Sequence, residues 1–337
     1  MPARGQKPGH REAPPTAGAP MAWAGYIDGL IAEHGSLAAL CERLAGVRGF
    51  REDVESVGRA LRRLRARGGQ SGGVWGERLL RTFGLPASVH ARLCFMGQYH
   101  SRFVDLPVPL AADLIQLWDR PPASESRSGR LWLSLARATL ALREAAYDEA
   151  AQHLAAAPLA PGDTAGEIEV ALGRAFIESR ARPHEIPGAL APVPALLAHV
   201  GGADADCLRA RYAGQLAHAL NRTGDVGPGL ALHLALPDGA AVHPFARSRR
   251  ANGIAYAQFR LGQIDAALAS ARLAATFAGD AGHVRLRAMA LLMLSRIGGA
   301  SAEAHDDRTR ARAIATALGD ATLLGRCDAA ERDVTRV

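Results

Sequence analysis

Residues 56–69 read SVGRALRRLRARGG, five arginines on a leucine-spaced run that ends in two glycines. Guanidinium groups at that density suit phosphates or carboxylates, which they grip through paired N–H donors. The helix is expected from about Arg51 to Arg67. Val54, Val57, Leu61 and Leu64 fall at spacings of three and four and define its core face. Opposite that core lies Arg59, flanked by Ser56, Arg62, Arg63 and Arg67, while Arg65 leans toward the core edge. Ser56, Arg59, Arg62, Arg63 and Arg67 are therefore the expected surface for double-stranded DNA, with arginines on phosphates and the polar side against base edges. An ordinary solvated helix competes with that reading. Glu52, Asp53 and Glu55 open the helix and arginines close it, as any macrodipole favours, and Glu55 and Arg59 form an i,i+4 pair.

Other reactive side chains form no complete set. His90 and Cys94 sit four residues apart on one helical face, but two ligands do not make a metal site. The run QYHSRF, residues 98–103, is polar and aromatic together, and suggests an interdomain contact or a phosphate-facing edge. His184, His199, His218, His233 and His243 are scattered without an HExxH spacing. No GxSxG, Walker A or dinucleotide fingerprint occurs. No enzyme, no cofactor and no metal is expected. Cys41, Cys94, Cys207 and Cys327 form no CxxC pair and read as buried free thiols of a reducing compartment.

These residues must be carried by helices. The chain of 337 residues is 48% hydrophobic, mostly Ala and Leu, and only 5% aromatic, a composition that favours helix throughout. The expected class is all-α. Lys7 is the sole lysine, so arginine abundance by itself says little. Its distribution says more: residues 1–130 hold 18 Lys and Arg against 12 Asp and Glu, six of the chain's seven excess positive charges. Residues 1–20 lack an apolar core and read as a disordered tail. Nothing later is long and apolar enough for a membrane span, so a cytoplasmic protein without membrane contact is expected. Ser36 stands where an N-cap is wanted. The glycine-rich GGQSGGVWG, residues 68–76, reads as a hairpin or loop. DRPPASESRSG, residues 119–129, reads as the junction between a domain at 21–120 and a helical array at 130–325, with the end of a last helix at 326–337.

In order, GSLAALCERLAG, REDVESVGRALRRLRARG and GGQSGGVWG resemble a winged helix-turn-helix of the GntR or MarR type. The likeness covers residues 36–76. The recognition-helix pattern Val-x-x-Ala-Leu-x-x-Leu falls on Val57, Ala60, Leu61 and Leu64 and ends at Gly68, and the glycine run stands in the place of the wing. The insertion VRGF between the helices departs from that family. Further on, RRANGIAYAQFRLGQIDAALASARLAATFAGD, residues 249–280, resembles a tetratricopeptide repeat (TPR), with looser echoes in LREAAYDEAAQHL, NRTGDVGPGLALHL and the Gly-Asp pairs at 279–280 and 319–320. The resemblance implies an α-solenoid whose groove takes a peptide or protein through Arg209, Tyr212, Gln215, Arg249, Asn252, Tyr256, Arg285 and Arg287. Together the two likenesses imply a DNA-binding transcription regulator, working as a homodimer, that senses a partner in its repeats. The alternative is a TPR adaptor that never touches nucleic acid.

Overall fold

The computed structural model describes residues 21–47, 51–160 and 162–335, and they contain helices and no strand. The expected tail at 1–20, most of the VRGF insertion and the last two residues lie outside them. The all-α class is as expected. The chain divides into a small unit, Met1–Phe83 with Arg120–Pro122, and a large one, Gly84–Asp119 with Ala123–Val337. Residues 84–119, expected to extend the N-terminal domain, therefore pack with the array.

Within the small unit, α1 (Trp23–His34), α2 (Leu37–Ala45), α3 (Val54–Arg65) and α4 (Gly73–Phe83) bury Trp23, Tyr26, Leu30, Leu40, Leu44, Val57, Leu61, Leu64 and Leu79. Ser36 caps α2, its hydroxyl accepting from Ala39 N at 3.0 Å. Asp53 caps α3 by accepting from Ser56 N at 2.7 Å, so the helix starts later than expected. Val54, expected in the core, is 44% exposed at the first turn. Gly58 replaces it on the buried face beside Cys41.

The expected wing is absent among the described residues. GGQSGGVWG is a turn that enters α4, and the reason is close packing. Trp23 Nε1 donates to Gln70 O at 2.9 Å, and a Cβ on Gly72 would lie 2.2 Å from the Trp23 ring and 2.7 Å from Gly76 Cα. Gly72, Gly76 and Leu79 fall at helical spacing on the buried side. Gly72, which read as part of a flexible hairpin, is a small residue under a tryptophan.

The large unit begins with α5 (Ala87–Gly97) and α6 (Val108–Trp118), both packed on α7 (Arg127–Arg143). α8 (Tyr147–Ala156) and α9 (Thr164–Ala181) follow. Prolines at 183, 187, 192 and 194 then break the chain into α10 (Ile186–Leu190) and α11 (Val193–Leu197). Next come α12 (Gly202–Thr223), α13 (Val226–Leu234), α14 (Pro244–Arg260), α15 (Ile264–Asp280), α16 (Val284–Gly298), α17 (Ala302–Leu318) and α18 (Ala321–Thr335). Helix hairpins α7–α8, α12–α13, α14–α15 and α16–α17 make a solenoid-like array. Alanine makes the hairpins tight: Ala255, Ala267, Ala271 and Ala274 are all fully buried between α14, α15 and α16.

The array closes on itself. α7, α9, α12, α14, α16 and α18 each pack on the next, and α18 returns to α7. The closure is polar and buried. Arg143, at the end of α7 and 1% exposed, donates to Asp320 Oδ2 at 3.3 Å, to Leu318 O at 3.3 Å and to Leu106 O at 2.7 Å. Thr322 Oγ1 donates to Leu142 O at 2.5 Å. A groove expected to be long and concave is thereby a lumen. Among the described residues no helix is long and apolar enough to cross a membrane.

Candidate functional site: an arginine-lined lumen

Every helix of the inner ring contributes to one cavity of about 540 Å³. Leu142 of α7, Leu172 and Phe176 of α9, Met289, Leu292 and Met293 of α16, and Ala330 of α18 supply apolar wall. Between them stand Arg211, Gln215, His218 and Asn221 of α12, Arg249, Asn252 and Tyr256 of α14, and Arg326 of α18. His233 of α13 reaches the wall because Gly253 leaves room: a Cβ there would lie 2.2 Å from the imidazole. Arg180, Arg222 and Arg296 are exposed and lie in the last turns of α9, α12 and α16. They form a cationic rim where helix C-termini favour positive charge anyway.

Residues 98–103, the polar-aromatic run noted in the sequence, bring Tyr99 to the cavity wall. The run belongs to the large unit. Gln98 Nε2 donates to Asp204 Oδ2 at 3.0 Å, and His100 lies 3.1 Å from Asp204 Oδ1 and 3.5 Å from Glu169 Oε1. Asp105 takes Arg285 N at 2.7 Å and meets His283 at 3.3 Å. These bonds hold Tyr99 in the lumen. Arg211 and Arg285 lie over its ring, at 4.7 and 5.3 Å from the centroid, and Arg285 donates to its hydroxyl.

The charges around Tyr99 are only partly answered. Arg211 meets both Glu169 oxygens at 2.6 Å. Arg285 and Arg143 share Asp320, which is fully buried and accepts also from Leu323 N at 2.9 Å. Burial alone would raise the Asp320 and Glu169 carboxyls, but Arg285 and Arg211 respectively outweigh it and hold both below their usual range. Arg249 and Arg326, by contrast, face no carboxylate among the described residues. Burial first, then Arg285, Arg180 and Arg249, push the Arg326 guanidinium down to about 10. Arg249 is lowered by burial and by Arg211 and Arg285. Against the cost of burial, Arg285, Arg249 and Arg326 pull the Tyr99 phenol below its ordinary value. Surplus positive charge in a half-enclosed site is electrostatically costly.

Of the eight groove residues expected from sequence, the lumen gathers Gln215, Arg249, Asn252 and Tyr256, with Arg285 buried just beneath. Arg209 instead pairs with Asp206 at 3.5 Å. Tyr212 packs into the apolar cluster of Ile168, Ile186 and Leu208. Arg287 is exposed outside the cavity. Arg211, Asn221 and Arg326 are not marked by the sequence, and Tyr99 is marked only as part of the QYHSRF run. Arg211 follows Arg209 by two positions, so that a turn of the helix puts one inward and the other outward.

On α3, Arg59 is engaged by Glu55 at 3.2 Å and by Ser56 Oγ at 3.1 Å, and Arg67 donates to Ser71 O at 2.8 Å. Ser56 is half-buried at the cap. Glu52 pairs with Arg78 at 2.6 Å, and Asp53 is spent on the cap. Arg62 and Arg63 stay exposed and hold no partner among the described residues. His90 and Cys94 lie together, Sγ to Nδ1 at 3.5 Å, yet no group of three metal-ligating side chains forms among the described residues.

No protein-family model matches the chain, and no curated protein and no solved structure matches it.

Proposed function

We propose that this protein is a non-enzymatic, ligand-sensing regulator: the closed helical array is the receptor, and the arginine face of α3 engages duplex DNA. The observation that carries this reading is the lumen, which presents half-buried guanidinium groups without carboxylate partners, together with hydrogen-bonding amides, and no group of three metal-ligating side chains forms among the described residues. The hairpins of the array support the TPR likeness, in which inner-helix polar residues take the ligand. At the start of α3 Glu52 pairs with Arg78 and Glu55 with Arg59, while Asp53 accepts from the helix amides, which lessens the repulsion that would oppose a phosphate backbone and leaves Arg62 and Arg63 for it.

The test is titration of the full chain against mixed-sequence duplex DNA at two salt concentrations. Binding should weaken as salt rises, and R62A/R63A should lower both affinity and the salt slope, by about one in slope per lost phosphate contact. Negligible affinity at low salt, or affinity indifferent to salt, removes the DNA arm. The turn that stands in place of a wing favours the second reading, in which α3 docks an acidic protein surface and the protein acts as an adaptor.

A further inference from the structure

The chemistry of the lumen narrows the class of its ligand, an inference that rests on the receptor reading above. Charge is the first constraint. Arg211 meets Glu169, and Arg143 and Arg285 share Asp320, so Arg249 and Arg326 are the two lumen arginines without a carboxylate partner among the described residues. A single carboxylate leaves one of these two cations unanswered. A phosphate monoester carries roughly −1.5 to −2 at neutral pH and offers three strong acceptor oxygens to guanidinium forks. Hydrogen bonding is the second constraint. Gln215, Asn221 and Asn252 line the cavity, and their amides suit a ligand that carries hydroxyl or amino groups. Size is the third. A cavity of about 540 Å³ inside a closed ring suits a small molecule, and Leu172 and Met293 give its less polar body an apolar wall.

We propose that the lumen binds a small phosphate monoester bearing hydroxyl or amino groups, of the nucleoside monophosphate or sugar phosphate kind, its phosphate held by Arg249 and Arg326. Tyr99 stands at the same end of the cavity and is fixed there by Arg285. The phosphate thus meets a wall that the protein has already ordered, and little reorganisation accompanies binding.

The experiment is calorimetric titration of the full chain with AMP, glucose 6-phosphate, inorganic phosphate, adenosine, glucose and pentaglutamate. One phosphate monoester should bind, and its dephosphorylated counterpart should bind about a hundredfold more weakly or not at all. Which of AMP and glucose 6-phosphate binds distinguishes the two sources of the phosphate. R249Q and R326Q, each checked for wild-type circular dichroism and cooperative melting, should weaken that ligand by at least about tenfold. R287Q, outside the lumen, should leave it unchanged. Independently of any variant, inorganic phosphate should raise the melting temperature above that in chloride of equal ionic strength. Equal binding of adenosine and AMP, or affinity unmoved in R249Q and R326Q, overturns the proposal. Arginine-dependent binding of pentaglutamate without any phosphate ester overturns it while leaving an anion receptor standing. Silence from every anion overturns both.

Discussion

The lumen and the α3 face are both rich in arginine, and they treat it in opposite ways. On α3 the guanidiniums stand in water at the C-terminal end of a helix, with Glu55 at hand for Arg59, where solvent and the macrodipole accommodate them at little cost. In the large unit Arg211, Arg249, Arg285 and Arg326 stand in the N-terminal halves of α12, α14, α16 and α18, where the dipole gives no help and each needs a specific counter-charge. Arg211 has Glu169 and Arg285 shares Asp320 with Arg143; Arg249 and Arg326 have no carboxylate partner among the described residues. An arginine in the sequence therefore carries little information until its compensation is known.

Removing a carboxylate from each region should separate them most widely. D320A strands Arg143 and Arg285 in the closure of the ring and should cost about 3–5 kcal/mol in urea unfolding. E55A, on the solvated helix, should stay within about 0.5 kcal/mol. Similar losses from the two would break the contrast.

A smaller contrast lies between two buried histidines of the large unit. Asp204 and Glu169 outweigh burial and raise His100 above the usual 6.5, so its contribution is full below 6.5 and fades as pH rises through the raised value. Burial, with Arg249 and Arg250 adding to it, lowers His233 to about 4. Its contribution is present above 6.5 and is lost as pH falls toward 4, by up to about 3 kcal/mol. Unfolding free energies at pH 5 and pH 8 should show H233Q flattening the acid loss. H100Q should cost more at the lower pH than at the higher. If both variants shift stability equally at the two values, the electrostatic description of the lumen is wrong.

How much of this was legible in the sequence follows from which forces act locally. Helix positions, the Ser36 cap and the hairpin pairs are set by spacing and composition, and they could be read. The glycine run could not, because Gly72 answers to Trp23, almost fifty residues earlier. Four of the groove residues could be placed by helical position, since inner helices repeat the same face. Tyr99, Asp320 and Arg326 acquire their meaning only through ring closure, which joins residue 99 to 285 and 143 to 320. No local pattern encodes that meeting.

The central claim is that Arg249 and Arg326 are kept unpaired for an anion instead of serving the fold. Equilibrium urea unfolding of the ligand-free chain in chloride buffer, wild type against R249Q and R326Q, tests it most directly. The account predicts that each substitution leaves stability unchanged or increases it, because surplus positive charge is removed and no carboxylate is orphaned. A loss of about 3 kcal/mol or more from either variant would show that these arginines hold the ring together, and would contradict the account.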